Sequence, residues 1–138
     1  MRRLVLVGAV LAVAAAGPAQ AALKPAEVVR AWSRALNSND NERAARLFAH
    51  NARVVQPGVD VRLNTHALAV AFNAALPCAG RIVEIRVSGN RATATFVLGQ
   101  RPKHRCDAPG AKAAALFVVR LGKIVLWQQV PVPEKPTA

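Results

Sequence analysis

The stretch from Arg81 to Val132 constrains the fold most, because it contains two turn signals that each separate two apolar runs. The turn signals are Gly89-Asn90 and Leu121-Gly122. Two-residue turns that contain glycine between strand-like runs are typical of β-hairpins. The stretch therefore predicts four antiparallel strands in series.

The turn positions also predict the register of both hairpins. Val83 is expected to face Phe96 in the first hairpin, and Leu116 is expected to face Trp127 in the second. The predicted apolar face of the first hairpin carries Val83, Ile85, Val87, Ala92, Ala94 and Phe96. The second hairpin is apolar on both faces, which predicts cover by helices or a ligand on one face and by a second subunit on the other. A homodimer through the sheet is therefore predicted.

Helical patterns precede the hairpins and make the predicted fold class α+β. Apolar residues recur at helical spacing in Ala26 to Leu36, after Pro25, and in Thr65 to Leu76, while Asp40 is placed to cap a helix between them. The apolar positions are Val28, Val29, Trp32, Ala35 and Leu36, then Ala44, Ala45, Leu47 and Phe48, then Leu68, Ala69, Phe72 and Leu76. Short strands are predicted at 52–58 and 59–63.

The N-terminus predicts export. Two arginines precede an apolar run from Leu4 to Ala16, and Ala19-Gln20-Ala21 follows, which is typical of a signal peptide cleaved near Ala21. The run is shorter than the roughly 20 residues that span a bilayer. We therefore predict a signal peptide at 1–21, one domain at 22–132 and a disordered tail at 133–138, in a protein that is secreted or held in the cell envelope or periplasm.

Two cysteines, Cys78 and Cys106, would reach an oxidising compartment, which favours a disulfide. Hairpin pairing places Cys78 beside the loop at 99–112, in which Cys106 lies. Such a bridge would stabilise the fold by roughly 3 to 4 kcal/mol. A free thiol and a His104/Cys106 metal pair are the alternatives.

The same loop, called the basic loop below, concentrates positive charge in a chain of formal net charge +12. Its candidate anion patch consists of Arg101, Lys103, His104, Arg105 and Lys112. Such a patch attracts an anionic partner such as an envelope component, although a solvated basic face is the simpler interpretation. The loop has no aromatic residue to stack on a base, so nucleic acid is not expected.

The ordered set of short motifs resembles the nuclear transport factor 2-like superfamily, including its SnoaL-like members. The residues that carry the resemblance are Trp32, Asp40, Leu47-Phe48, Ala52, Gln56-Pro57 and Gly122 to Gln129. Cysteines before the long hairpins and in the loop between them resemble exported actinobacterial-type members. The resemblance implies a cone-shaped, curved antiparallel sheet wrapped around three N-terminal helices, with an apolar cavity. Similar folds host isomerases, hydrolases, cyclases and non-catalytic binding domains, so the fold alone does not select a function.

The cone implies a ligand pocket lined by Trp32, Gln56, Phe72, Trp127 and Gln129. Catalysis in such a cone needs an internal carboxylate or histidine and a donor for developing negative charge. The chain has no tyrosine, and Gln129 stands where the hydrolase-like pattern has a carboxylate. Asp40, or a histidine in an unfamiliar arrangement, is the remaining catalytic candidate, and helix capping is the simpler role of Asp40.

The sequence therefore predicts an exported binding domain for a small hydrophobic or amphipathic molecule, or for a partner, without catalysis, cofactor or metal. An isomerase- or hydrolase-type enzyme and an envelope-associated anion binder are the alternatives.

Overall fold

A computed structural model describes residues 10–17 and 20–135. The predicted signal peptide falls partly outside them, at residues 1–9 and 18–19, while residues 10–17 are exposed and form no helix or strand. The predicted tail ends at 136–138, outside the described residues, and 131–135 have no regular secondary structure. None of the helices in the described part of the chain is long and apolar enough to cross a membrane. Signal-peptide cleavage and tail disorder stay predictions.

Three helices precede most of the sheet: α1 (Pro25–Asn37), α2 (Asn41–Arg46) and α3 (His66–Ala75). Asp40 caps α2, since its Oδ1 accepts a hydrogen bond from Arg43 N at 3.0 Å. Thr65 caps α3, since its Oγ1 accepts from Leu68 N at 3.1 Å. The stripe predicted for α1 is buried at every position: Val28, Val29, Trp32, Ala35 and Leu36.

The buried side of α3 differs from the prediction. Leu68 is 45% exposed, whereas the polar Asn73 is fully buried. Asn73 is satisfied there, because its Oδ1 accepts from Trp32 Nε1 at 2.8 Å and its Nδ2 donates to Ala69 O at 2.8 Å. Nearly every residue of α3 is apolar, so its sequence has no polar face to set the orientation of the helix.

The sheet has six strands: β1 (Phe48–Gln56), β2 (Val59–Leu63), β3 (Ala79–Ser88), β4 (Arg91–Gly99), β5 (Lys112–Arg120) and β6 (Lys123–Val130). Their order is β2-β1-β6-β5-β4-β3, and every neighbouring pair is antiparallel except β1 and β6. Phe48 opens β1, which begins four residues before the predicted strand, so Phe48 does not belong to α2. Helix α1 packs across β3, β4 and β5. The predicted α+β cone is confirmed, with one parallel pair.

Both predicted hairpins form with their predicted turns, but a β-bulge interrupts each one. In the first, Ile82 rather than Val83 pairs with Phe96. In the second, Phe117 rather than Leu116 pairs with Trp127. A bulge adds one residue to one strand, so every pairing beyond it shifts by one and the side chains change faces. Val83 is accordingly 42% exposed instead of buried.

The second bulge brings Trp127 onto the inner face of the sheet. Its ring packs against Phe117 and against Trp32 of α1, with centroids 6.5 and 6.2 Å away. The buried core therefore lies between α1 and the concave side of β4 to β6. The homodimer expected from the outer face stays a prediction.

Candidate functional site

A cavity of about 500 Å³ lies between α1 and the inner face of the sheet. Its apolar wall comprises Trp32, Leu36, Leu76, Phe96, Leu98, Ala113, Ala115 and Trp127. Small residues on β5 leave this space open. Ala113 and Ala115 line the cavity, whereas the larger Phe117, further along the same strand, fills the core. The volume falls within the range of about 300 to 1,000 Å³ typical of small-molecule sites.

The aromatic wall is held in place by specific contacts. Trp32 is fixed by its hydrogen bond to Asn73 and by an edge-on contact with Phe117 at 5.3 Å between centroids. Trp127 is supported from behind by Phe72, whose ring centroid lies 5.2 Å away. Both tryptophans of the chain line the cavity, and these contacts hold their rings in position.

Polar side chains gather at one end of the cavity. Val55 pairs with Gln128 on the parallel strands β1 and β6, which places Gln56 beside Gln129. Lys112 begins β5 at the strand end where β6 finishes, because β5 runs antiparallel to β6. Both glutamines and Lys112 line the cavity, as does Asp107 of the basic loop. The cavity therefore has an aromatic interior and a polar rim.

The structure brings four of the five predicted pocket residues together: Trp32, Gln56, Trp127 and Gln129. Phe72 is the exception, because it lies behind Trp127 and contacts Phe48 on its other side, at 5.8 Å between centroids. Sequence reasoning missed that the basic loop forms part of the wall. The cysteine pair was the available signal, because a tether from Cys78 draws that loop toward the cavity.

The predicted disulfide is confirmed, since the sulfur atoms of Cys78 and Cys106 lie 2.12 Å apart. This excludes the predicted alternatives of a free thiol and a His104/Cys106 metal pair in the described structure. Asp107 gathers with the two cysteines within 4.8 Å, in a cluster of metal-ligand type. Cysteines joined in a disulfide have no thiolate to offer, so this cluster does not have the donors of a metal site.

Comparison with known proteins agrees with this geometry. A sequence model of the SnoaL-like domain family matches residues 29–127. The chain belongs to the SnoaL-like domain family. It is thereby a member of the nuclear transport factor 2-like superfamily, as the sequence predicted.

Solved structures share the fold of this SnoaL-like domain. A nuclear transport factor 2-like protein of unknown function from Cytophaga hutchinsonii is 12% identical, with a TM-score of 0.65 over 81% of this chain and 91% of that one. A protein from Sphaerobacter thermophilus is 22% identical, with a TM-score of 0.63 over 82% of this chain and 100% of that one.

A hypothetical protein with a ketosteroid isomerase-like fold from Catenulispora acidiphila was solved in complex with trimethylamine. It is 20% identical, with a TM-score of 0.61 over 79% of this chain and 87% of that one. Among curated proteins, none matches this chain.

Within the SnoaL-like domain, Arg101 does not belong to a surface anion patch. Its side chain is 2% exposed, and its guanidinium donates to Asn73 O at 2.7 Å, to Leu76 O at 2.6 Å and to Asn41 Oδ1. Burial lowers the pKa of Arg101 from its ordinary value. The last carbonyls of a helix have no partner within the helix and attract cationic donors, which is why Arg101 turns inward.

His104 is half-buried and contacts the protein through both ring nitrogens. Its ring nitrogens lie 2.9 Å from Pro102 O and 2.8 Å from Ala74 O, so it contacts the same end of α3 as Arg101. The predicted anion patch is therefore reduced to Lys103, Arg105 and Lys112, which are exposed.

Asp40, the candidate catalytic residue, is exposed, and its carboxylate accepts from the backbone of α2. It is not among the residues that line the cavity. Helix capping directs this carboxylate to the start of α2, which is the simpler role that the sequence indicated for Asp40.

Proposed function

We propose that this protein is an exported binding protein that holds a small hydrophobic or amphipathic molecule in its cavity and catalyses no reaction. The observation that carries the proposal is a cavity of about 500 Å³ with both tryptophans in its walls and the amides of Gln56 and Gln129 at its rim. Apolar walls with a few placed polar groups are typical of small-molecule sites. Export is supported by the N-terminal leader pattern together with the cysteine pair.

The composition of the cavity supports binding over catalysis. Among the described lining residues, the titratable side chains are Asp107 and Lys112, both at the rim. Deeper in, the polar side chain on α1 is Ser33, whose hydroxyl donates to Gly80 O at 3.3 Å. Proton transfer needs an acid or base within hydrogen-bond reach of the reacting atom, and the aromatic interior provides neither. The Catenulispora acidiphila protein of this fold was solved in complex with trimethylamine, which supports binding of a small molecule by a protein of this fold.

The two tryptophans provide the test, because a molecule that enters the cavity changes their fluorescence. We expect saturable binding of 1-decanol, and we expect Ala113→Leu to weaken it about tenfold, because the larger side chain fills the space beside Phe96, and overpacking of this kind costs about 1 to 3 kcal/mol. Ala71→Leu on the exposed surface of α3 is the matched control and should bind as the unmodified protein does. Thermal unfolding of both variants checks that they fold. Equal binding by Ala113→Leu would place the ligand elsewhere and contradict the proposal.

A further inference from the structure

Lys112 is a cation without an acidic partner at the mouth of the cavity. It begins β5, is exposed, and lines the same cavity as Gln129. The ion pairs of the described residues are Arg53 with Asp60, His66 with Glu42 and Arg86 with Glu84, and none involves Lys112. An unpaired ammonium beside a low-dielectric apolar wall attracts an anion more strongly than one on an open surface.

The basic loop adds positive charge to this region of the chain. Lys103 and Arg105 of the basic loop are exposed and add two positive charges on the segment that leads to Lys112. The carboxylate in this region belongs to Asp107, whose Oδ1 lies 3.5 Å from Cys78 Sγ, against the disulfide. The lining of the cavity thus holds one cation, Lys112, and one carboxylate, Asp107, in a chain of net charge +12.

The positions of the polar and aromatic residues in the cavity indicate how a ligand would be oriented. The rim holds Lys112 and the amides of Gln56 and Gln129, whereas Trp32 and Trp127 are buried. We propose that the ligand is an amphipathic monoanion of carboxylic acid type, with its apolar part between the tryptophans and its carboxylate at Lys112. This assignment rests on the proposed function and adds the charge of the ligand to it.

The test compares decanoate with 1-decanol at neutral pH by tryptophan fluorescence. Lys112→Gln removes the rim charge, and Arg120→Gln removes an equal, exposed charge at the far end of the same strand. We expect decanoate to bind more tightly than 1-decanol. Lys112→Gln should weaken decanoate binding about two- to fivefold relative to 1-decanol binding, as for a solvent-accessible ion pair. Arg120→Gln should change neither, and added salt should weaken only decanoate.

The outcomes separate this inference from the proposed function. Equal affinity for decanoate and 1-decanol in all three proteins overturns the role of Lys112 and leaves cavity binding intact. Tighter binding of decylammonium than of decanoate also overturns it, and assigns the rim to a cation held by Asp107. Failure of all three probes to bind removes both proposals together.

Discussion

Arg101 brings a positive charge into the protein at the point where the basic loop meets the end of α3. No carboxylate of the described residues forms an ion pair with it, and its Nε has no hydrogen-bond partner there. Its guanidinium instead satisfies the carbonyl oxygens of Asn73 and Leu76, which would otherwise be unpaired. Arg101, which the sequence predicts to be a surface charge, therefore binds the basic loop to the end of α3.

Substitution of Arg101 should destabilise the fold. Arg101→Leu leaves buried acceptors without a donor, so we expect the free energy of unfolding to fall by about 2 to 4 kcal/mol. Arg105→Leu, an exposed arginine of the same loop, is the control and should change it by less than about 0.5 kcal/mol. Urea unfolding followed by circular dichroism measures both. Equal stability of the two variants would show that the buried hydrogen bonds contribute nothing.

Among the elements, strand β2 forms one edge of the sheet as an arm of the β1–β2 hairpin, and it buries little, since Leu63 is its buried position. A two-pronged ion pair crosses it: Arg53 Nε donates to Asp60 Oδ1 at 2.8 Å, and Arg53 Nη2 donates to Asp60 Oδ2 at 2.6 Å. Charged side chains on an edge strand also oppose pairing with other sheets. The ion pair thus supports an edge that has little core of its own.

This ion pair predicts a pH dependence. The hydrogen bonds from Arg53 lower the pKa of the Asp60 carboxyl from its ordinary 3.8. Its folded pKa lies below its unfolded one, so its contribution is present above pH 3.8 and is lost as the pH falls through the folded pKa. Asp60→Asn should therefore be slightly less stable than the unmodified protein at neutral pH and equally stable once Asp60 is protonated. Thermal unfolding across this pH range measures it, and a constant difference would contradict the assignment.

For the molecule as a whole, the disulfide joins the start of β3 to the basic loop and thereby completes the wall of the cavity. Cys78, Asp107, Ala108 and Ala111 all line the cavity around this bridge. Backbone hydrogen bonds from Leu98 N to Ala111 O and from Gly110 N to Leu98 O, both 2.8 Å, close the base of the loop. The fold and the candidate site therefore share one covalent tether.

Loss of the disulfide between Cys78 and Cys106 should destabilise the fold. The cysteines are separated by 28 positions, so replacing both by serine should lower the free energy of unfolding by about 3 to 4 kcal/mol in the chain-entropy treatment. A reductant should lower the thermal midpoint of the unmodified protein toward that of the variant and leave the variant unchanged. A reductant that shifts both equally would indicate that the effect does not arise from this bridge.

The sequence predicted the helix starts and the hairpin turns, which depend on near neighbours in the chain. Pro25, Asp40 and Thr65 begin their helices through contacts within one turn, and Leu121-Gly122 makes its hairpin turn locally. The cysteine pairing also followed from the hairpins, because a one-residue shift of register still leaves the two cysteines adjacent.

Only the tertiary structure decided which side chains face inward. A bulge set the register that pairs Trp127 with Phe117 instead of Leu116, and α3 turned Asn73 inward to meet Trp32. Arg101 became buried because the open end of α3 lies beside it in space, 28 positions away in sequence. These outcomes depend on groups that distant segments bring together, so the local pattern of polar and apolar residues does not contain them.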